Sequence, residues 1–188
     1  MDEVRKTAEV DIIMNKIALP RLIIIIAAIC AVVLFFMPYI SATEEYRSYL
    51  NSRADEKPFE SVDITVGQMA DMSLFTYAKT YFQGGEEFFR SQGDGVFYGI
   101  LLSSIVGFAL LILLSALGKK PVLTLIFDLL MGAAFYAVNW DFVDRRIMPD
   151  SNRVWGISYN LYYPVVALIA ICAIWMFVAK RKMKKNAE

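Results

Sequence analysis

Apolar residues fall in four blocks separated by polar stretches, and the length of each block sets the first expectation. Leu22 to Met37 reads LIIIIAAICAVVLFFM, and the apolar run continues through Pro38 and Tyr39 to Ile40 before any charge appears. At about 1.5 Å per helical residue this run reaches across a hydrocarbon core of roughly 30 Å. Three further blocks have the same character: Val96 to Gly118, Pro121 to Trp140 and Tyr159 to Ala179. The pattern predicts an all-α integral membrane protein, an antiparallel four-helix transmembrane bundle, with spans at 20–40, 96–118, 121–140 and 159–179.

The polar stretches fill in the remainder. Residues 1–19 place Val10, Ile13, Met14 and Ile17 on one helical stripe, as an interfacial helix requires, and Pro20 suits the first turn of the span that follows. Ile40-Ser41-Ala42 resembles a signal cleavage site, but the leading region is long and contains acids and the apolar run exceeds a signal peptide's, so an uncleaved anchor is expected. In 41–95, Ser41-Ala-Thr-Glu44 reads as a capping box before EEYRSYL. Thr65-Val-Gly-Gln68 reads as a second one, opening a helix over VGQMADMSLFTYAKTYF that stops at Gly84-Gly85. On that helix Met69, Ser73, Tyr77 and Tyr81 share a side that needs cover, so 41–95 is predicted to fold as a small helical extracytoplasmic cap. Residues 141–158 form a short outer loop with a turn at Pro149-Asp150-Ser151-Asn152, and the basic tail 180–188 is expected to be disordered.

Charge then orients the chain. Lys and Arg number 11 in the N-terminal arm, the Lys119-Lys120 turn and the tail, against 8 in the two larger loops, although the whole is formally neutral. The cationic side is cytoplasmic by the positive-inside rule, which puts both termini inside a cell (cytoplasmic) membrane crossed by a multi-pass chain. Tyr39, Phe97, Tyr98, Tyr136, Trp140, Trp155, Tyr159, Tyr162 and Tyr163 mark the outer interface as an aromatic belt. Hydrophobic residues make up 57% of the chain, above the roughly 45–50% of soluble domains. No basic patch with interleaved aromatics points to nucleic acid.

Candidate chemistry is sparse. The chain has no histidine, and Cys30 and Cys172 both sit in apolar spans, so neither a metal centre nor a disulfide is expected. No cofactor motif and no catalytic set are found. Gly99, Ser103 and Gly107 recur every fourth residue and predict a face for close helix packing. Asp128 is the one ionisable side chain inside a span, and an intramembrane carboxylate must face protein, find partners or be protonated. Thr124, Gly132, Tyr136 and Asn139 are assigned to its face, and Arg21 is within reach if the first and third spans are neighbours. Asp128, Arg21, Tyr136 and Asn139 thus form the candidate polar intramembrane site. Glu44-Glu45 and Glu86-Glu87 read as solvated or helix-capping pairs. Asp141, Asp144, Arg145 and Arg146 read as a solvated cluster and a candidate partner surface.

Four spans, inside termini, a long first outer loop and a shorter second one resemble the claudin and tetraspanin layout in topology only. The claudin loop pattern needs tryptophans and a cysteine pair, and Ser41 to Gly95 contains neither residue. The segments MPYISATEEYRSYL, MSLFTYAKTYF and VWGISYNLYY resemble small four-helix membrane proteins of Gram-positive gut bacteria, a resemblance that implies no activity and no site residues. The expectation is a non-catalytic interaction or scaffold protein. Its partners are the lipid bilayer and a membrane or extracytoplasmic protein, or a second copy of itself, met through 41–95. The alternative is a transporter or channel subunit with a polar path at Asp128, and the third is a carboxylate-based enzyme.

Overall fold

The computed structural model describes residues 2–145, 147 and 150–187, with side chains described from 17 to 184 among them. It is mostly helical, at 75%. Four helices carry the length: α1 (Asp2–Phe36), α5 (Gln92–Leu117), α6 (Pro121–Asp144) and α7 (Ile157–Ala187). Each contains a stretch long and apolar enough to cross a membrane. Between them stand β1 (Pro38–Ala42), α2 (Glu44–Asn51), a 3-10 turn (Gly67–Ala70), β2 (Asp71–Ser73), α3 (Leu74–Gln83), α4 (Gly85–Phe88) and β3 (Arg153–Trp155).

The long helices pack in a ring in which α1 touches α5 and α7, and α6 touches the same two from the other side, so α1 and α6 are diagonal. Arg21 near the start of the buried part of α1 reaches the last carbonyls of α5, while Tyr162 near the start of α7 bonds Ala31. Neighbours therefore run antiparallel. Their seam is filled by Ile24, Leu102, Ile105, Ile112, Met131, Phe135 and Ile169, all essentially without exposure. Ala27, Ala28 and Ala31 let α1 approach closely, and packing of this kind holds helices where no hydrophobic gradient drives them together.

Several boundaries differ from expectation. Pro20 lies inside α1 rather than at its start; it forfeits only its own bond to the preceding turn, so the arm and the first apolar block make one helix. The first span ends at Phe36, not Ile40, because Pro38 disfavours helical backbone at Met37 and Tyr39-Ile40 favours a strand. Ser91 caps α5 by accepting from Asp94 N at 3.2 Å, which starts that helix at Gln92 rather than Val96. The tail is helical to Ala187 rather than disordered.

The all-helical cap is also corrected: the domain expected to lie outside, hereafter the outer domain, is built on a three-stranded antiparallel sheet of order β2-β1-β3. Ile40 pairs with Met72 on one side and Trp155 on the other. The register shifts between Pro38 and Ile40, and this bulge breaks strand alternation so that Tyr39 and Ile40 are both fully buried. Ser41 is consequently in the strand, and the helix α2 is capped two residues later by Thr43, whose Oγ1 accepts from Tyr46 N at 3.4 Å. The Thr65–Gln68 box does form, with Gln68 N donating to Thr65 Oγ1 and Thr65 N to Gln68 Oε1. It opens only the 3-10 turn, because Asp71 to Ser73 pair with β1 and α3 restarts with Ser73 as its cap.

Candidate functional site

Three arrangements at the sheet-bearing end of the ring concentrate the polar and aromatic chemistry. The first is a caged cation. Arg145, just past the end of α6, has its guanidinium 4.4 Å from the ring centre of Phe89, 5.0 Å from Tyr98 and 5.1 Å from Tyr81. Its Nε donates to both oxygens of Asp141 at 3.0 Å, and its Nη2 donates to Tyr81 Oη at 3.0 Å and to Asp141. Desolvation opposes its charge, but Asp141 and Tyr81 outweigh it and hold the guanidinium above its ordinary range. Asp141 and Arg145 are therefore an internal fastening between α6, α3 and the start of α5. Their i, i+4 spacing predisposes them to pair. Asp144 is exposed, and Arg146 lies outside the described residues.

The second is an aromatic plug. Tyr39, fully buried, meets the rings of Phe135, Phe142, Trp155 and Tyr159 edge-on at 5.5 to 6.1 Å. Its hydroxyl donates to Asn139 Oδ1, and Asn139 Nδ2 donates to Tyr163 Oη at 2.7 Å. Burial pushes the Tyr39 hydroxyl well above the ordinary phenol range, with Tyr159 and Tyr163 adding to it, so it stays a donor. Gly156 makes the plug possible: a Cβ there would lie 2.2 Å from the carbonyl oxygen of Pro38.

The third is the outer domain's pair of hollows, which share Ile64 and Thr80 as a dividing wall. One, of about 350 Å³, is polar and lined by Arg47, Asn51, Gln68, Asp71, Thr76 and Lys79 among others. Arg47 forks onto both oxygens of Asp71, at 2.5 and 2.8 Å, and its hydrogen bond holds that carboxyl below the usual range. Asp63 bridges Lys57 at 2.9 Å and Lys79 at 3.8 Å and is likewise held low, chiefly by Lys57. The other, of about 270 Å³, is walled by Phe59, Met69, Met72 and Phe88, with Tyr77, Thr80, Tyr81, Asp150 and Arg153 as its polar residues. Of the expected stripe Met69, Ser73, Tyr77 and Tyr81, all but Ser73 line this hollow, and Ser73 caps α3 instead.

The candidate intramembrane set does not assemble. Arg21 donates to Ala116 O and Leu117 O, both at 3.1 Å, at the end of α5, and α1 and α6 are diagonal. Tyr136 is 64% exposed, since eight residues advance a helix by about 80° beyond two full turns; Phe135 takes the inward position instead. Asn139 belongs to the plug. Asp128 stands alone, fully buried, with neither carboxyl oxygen partnered among the described residues. Thr124, one turn away, is committed to Ser115 Oγ at 2.8 Å and Lys120 O at 3.1 Å.

The small-residue face of α5 is likewise redistributed. Gly99 makes room for Phe82 of α3, whose ring would lie 2.9 Å from an added Cβ. Ser103 bonds back to Gly99 O at 2.8 Å. Gly107 has nothing within 4 Å of its missing Cβ, because the seam runs through Leu102, Ile105, Ala109 and Ile112.

Among the described residues no group of histidine, cysteine, aspartate or glutamate is arranged to hold a metal ion. Comparison with protein-family models, with curated proteins and with solved structures finds no match.

Proposed function

We propose that this is a multi-pass protein of the cytoplasmic membrane, with both termini inside, which acts without catalysis by presenting residues 38–91 to an extracytoplasmic partner. One observation carries the reading: the outer domain is fastened to the helix ends at several points. Strands β1 and β3 lead directly out of α1 and into α7, Tyr39 plugs the space between the helix ends, and Arg145 ties α6 to α3 and α5. A domain held this way offers the same surface at all times, and preorganisation of that kind lowers the cost of recognition. The inside assignment is supported by Arg21, Lys119, Lys120 and Lys180 gathering at the opposite end of the ring, where Lys180 Nζ reaches Lys119 O.

The polar hollow is the surface best suited to a protein partner, because it mixes both signs of charge around exposed amide and hydroxyl groups. Photo-crosslinking residues placed at Gln68 and Thr76 in intact cells should give a discrete adduct that Lys79→Glu abolishes, whereas the same residue at Lys182 should not. An adduct pattern indifferent to Lys79→Glu refutes the reading.

Asp128 supplies the observation for a second reading, a transport subunit. A carboxyl buried without a partner is what a proton or cation pathway would place inside a membrane.

A further inference from the structure

We propose that the apolar hollow of the outer domain is a binding site for a single-chain amphiphile with an anionic head, the chain lying against Phe59, Met69, Met72 and Phe88 and the head against Arg153 and Tyr77. The proposal rests on the outer placement of residues 38–91 but needs no protein partner. It is a hollow of about 270 Å³, at the small end for a ligand pocket and so better matched to one slender chain than to a bulky ligand. Two methionines in its wall give it unbranched, polarisable side chains that adapt to chains of different length.

The polar groups select the head. Arg145 is already neutralised by Asp141. Arg153, in contrast, has no carboxylate within ion-pairing distance among the described residues; the residue lines the hollow, and its guanidinium lies over the ring of Tyr46 at 5.7 Å. Tyr77 is 7% exposed, and its hydroxyl has no hydrogen-bond partner among the described residues. Burial pushes it up to about 12 against the pull of Arg153 and Arg145, so it keeps its proton and remains a donor at neutral pH. An unpaired cation and an unpartnered hydroxyl lining one hollow are the chemistry that receives a carboxylate or a phosphate. Asp150 shares the same lining, and its Oδ1 accepts from Asn152 N at 2.8 Å; its remaining charge works against an anion and makes a useful control.

The test uses the full chain in lipid nanodiscs with a diazirine-bearing fatty acid, followed by mass spectrometric mapping of the adducts. Labelling should fall on peptides containing Phe59 and Met69–Met72, and both dodecanoate and dodecyl phosphate should compete for it. Equal competition assigns the site to the anionic charge, whereas a difference between them identifies which head it prefers. Arg153→Gln should weaken labelling about tenfold, the loss expected for one charge-assisted hydrogen bond. Asp150→Asn should strengthen it, and Arg90→Gln, a change at an exposed cation elsewhere on the outer domain, should leave it unchanged. Labelling confined to the lipid-facing helices, equal competition by uncharged dodecyl maltoside, or competition only by an apolar peptide with a free carboxyl terminus would overturn the proposal. Accessibility of a cysteine introduced at Ser151 to an impermeant reagent in intact cells separates a wrong site from a wrong topology, since an inaccessible cysteine denies the outer placement itself.

Discussion

Replacing Arg145 by methionine tests whether the caged cation holds the outer domain to the helices. The Asp141 side chain is 8% exposed and that of Arg145 21%, so removing the cation leaves a carboxylate in a site it cannot leave. Breaking a buried pair from one side costs about 3–5 kcal/mol, and losing the ring contacts adds about 1 kcal/mol. A total near 5 kcal/mol corresponds to a fall in Tm of roughly 10–20 °C for a chain of this size. The double variant Arg145→Met with Asp141→Leu removes the stranded charge as well and should recover most of the loss, giving a coupling of about 2–3 kcal/mol. Arg145→Lys keeps the charge but not the planar fork, and should fall between. Trp155 reports the transition, because its ring stacks on Tyr159 at 3.8 Å beside Tyr39; Trp140→Phe and Trp175→Phe remove the background. Unfolding in micelles followed by Trp155 emission is the assay. A single variant within about 0.5 kcal/mol of the parent, or an additive cycle, would refute the role assigned to the cage.

Two other outcomes are expected. Asp71 and Asp63 have carboxyls held below their ordinary range by Arg47 and Lys57; such groups stabilise the fold above the unfolded carboxyl pKa of about 4, and that contribution is lost as pH falls through the lower folded value. The urea midpoint reported by Trp155 should therefore drop on acidification below about pH 4, by less in Asp71→Asn, and the drop should be modest because both pairs are well exposed to solvent. Asp128→Asn separates the two readings of the buried carboxyl: flux through reconstituted vesicles falls if it belongs to a pathway, and unchanged flux with the fold retained leaves it a packing residue.

The apolar blocks made the long helices legible, since nothing else explains four uninterrupted runs of that length. The ends were less so. Residues Pro38 to Ala42 continue the apolar block without a charge, and only Pro38 and the strand-favouring Tyr39-Ile40 signal the change to a strand whose partners lie far along the chain. That is also why the sheet was missed: Asp71 to Ser73 sit in a helix-compatible sequence, and pairing with β1 overrides the local preference. The small-residue rhythm of Gly99, Ser103 and Gly107 misled because it gave spacing without naming the neighbour, which at Gly99 is Phe82 of α3. Asp141 and Arg145 looked like solvated charges for a similar reason, as Tyr81, Phe89 and Tyr98 reach them from separate segments. The Ser91-Gln-Gly-Asp94 cap was readable in the sequence and was simply overshadowed by the apolar block that follows.

The order of the sheet, with β1 at its centre, has a consequence for how the chain is made. Ile40 leaves the ribosome more than a hundred residues before Trp155, its pairing partner. At about 5–20 residues per second the central strand waits on the order of ten seconds with one edge open. Until the last loop arrives, β2 can cover only the opposite edge and the open one is free to pair with another nascent chain, so cells that slow elongation late in the message should accumulate a protease-sensitive half-product. Synthesis order, as much as final packing, thus decides how much of this protein survives its own production.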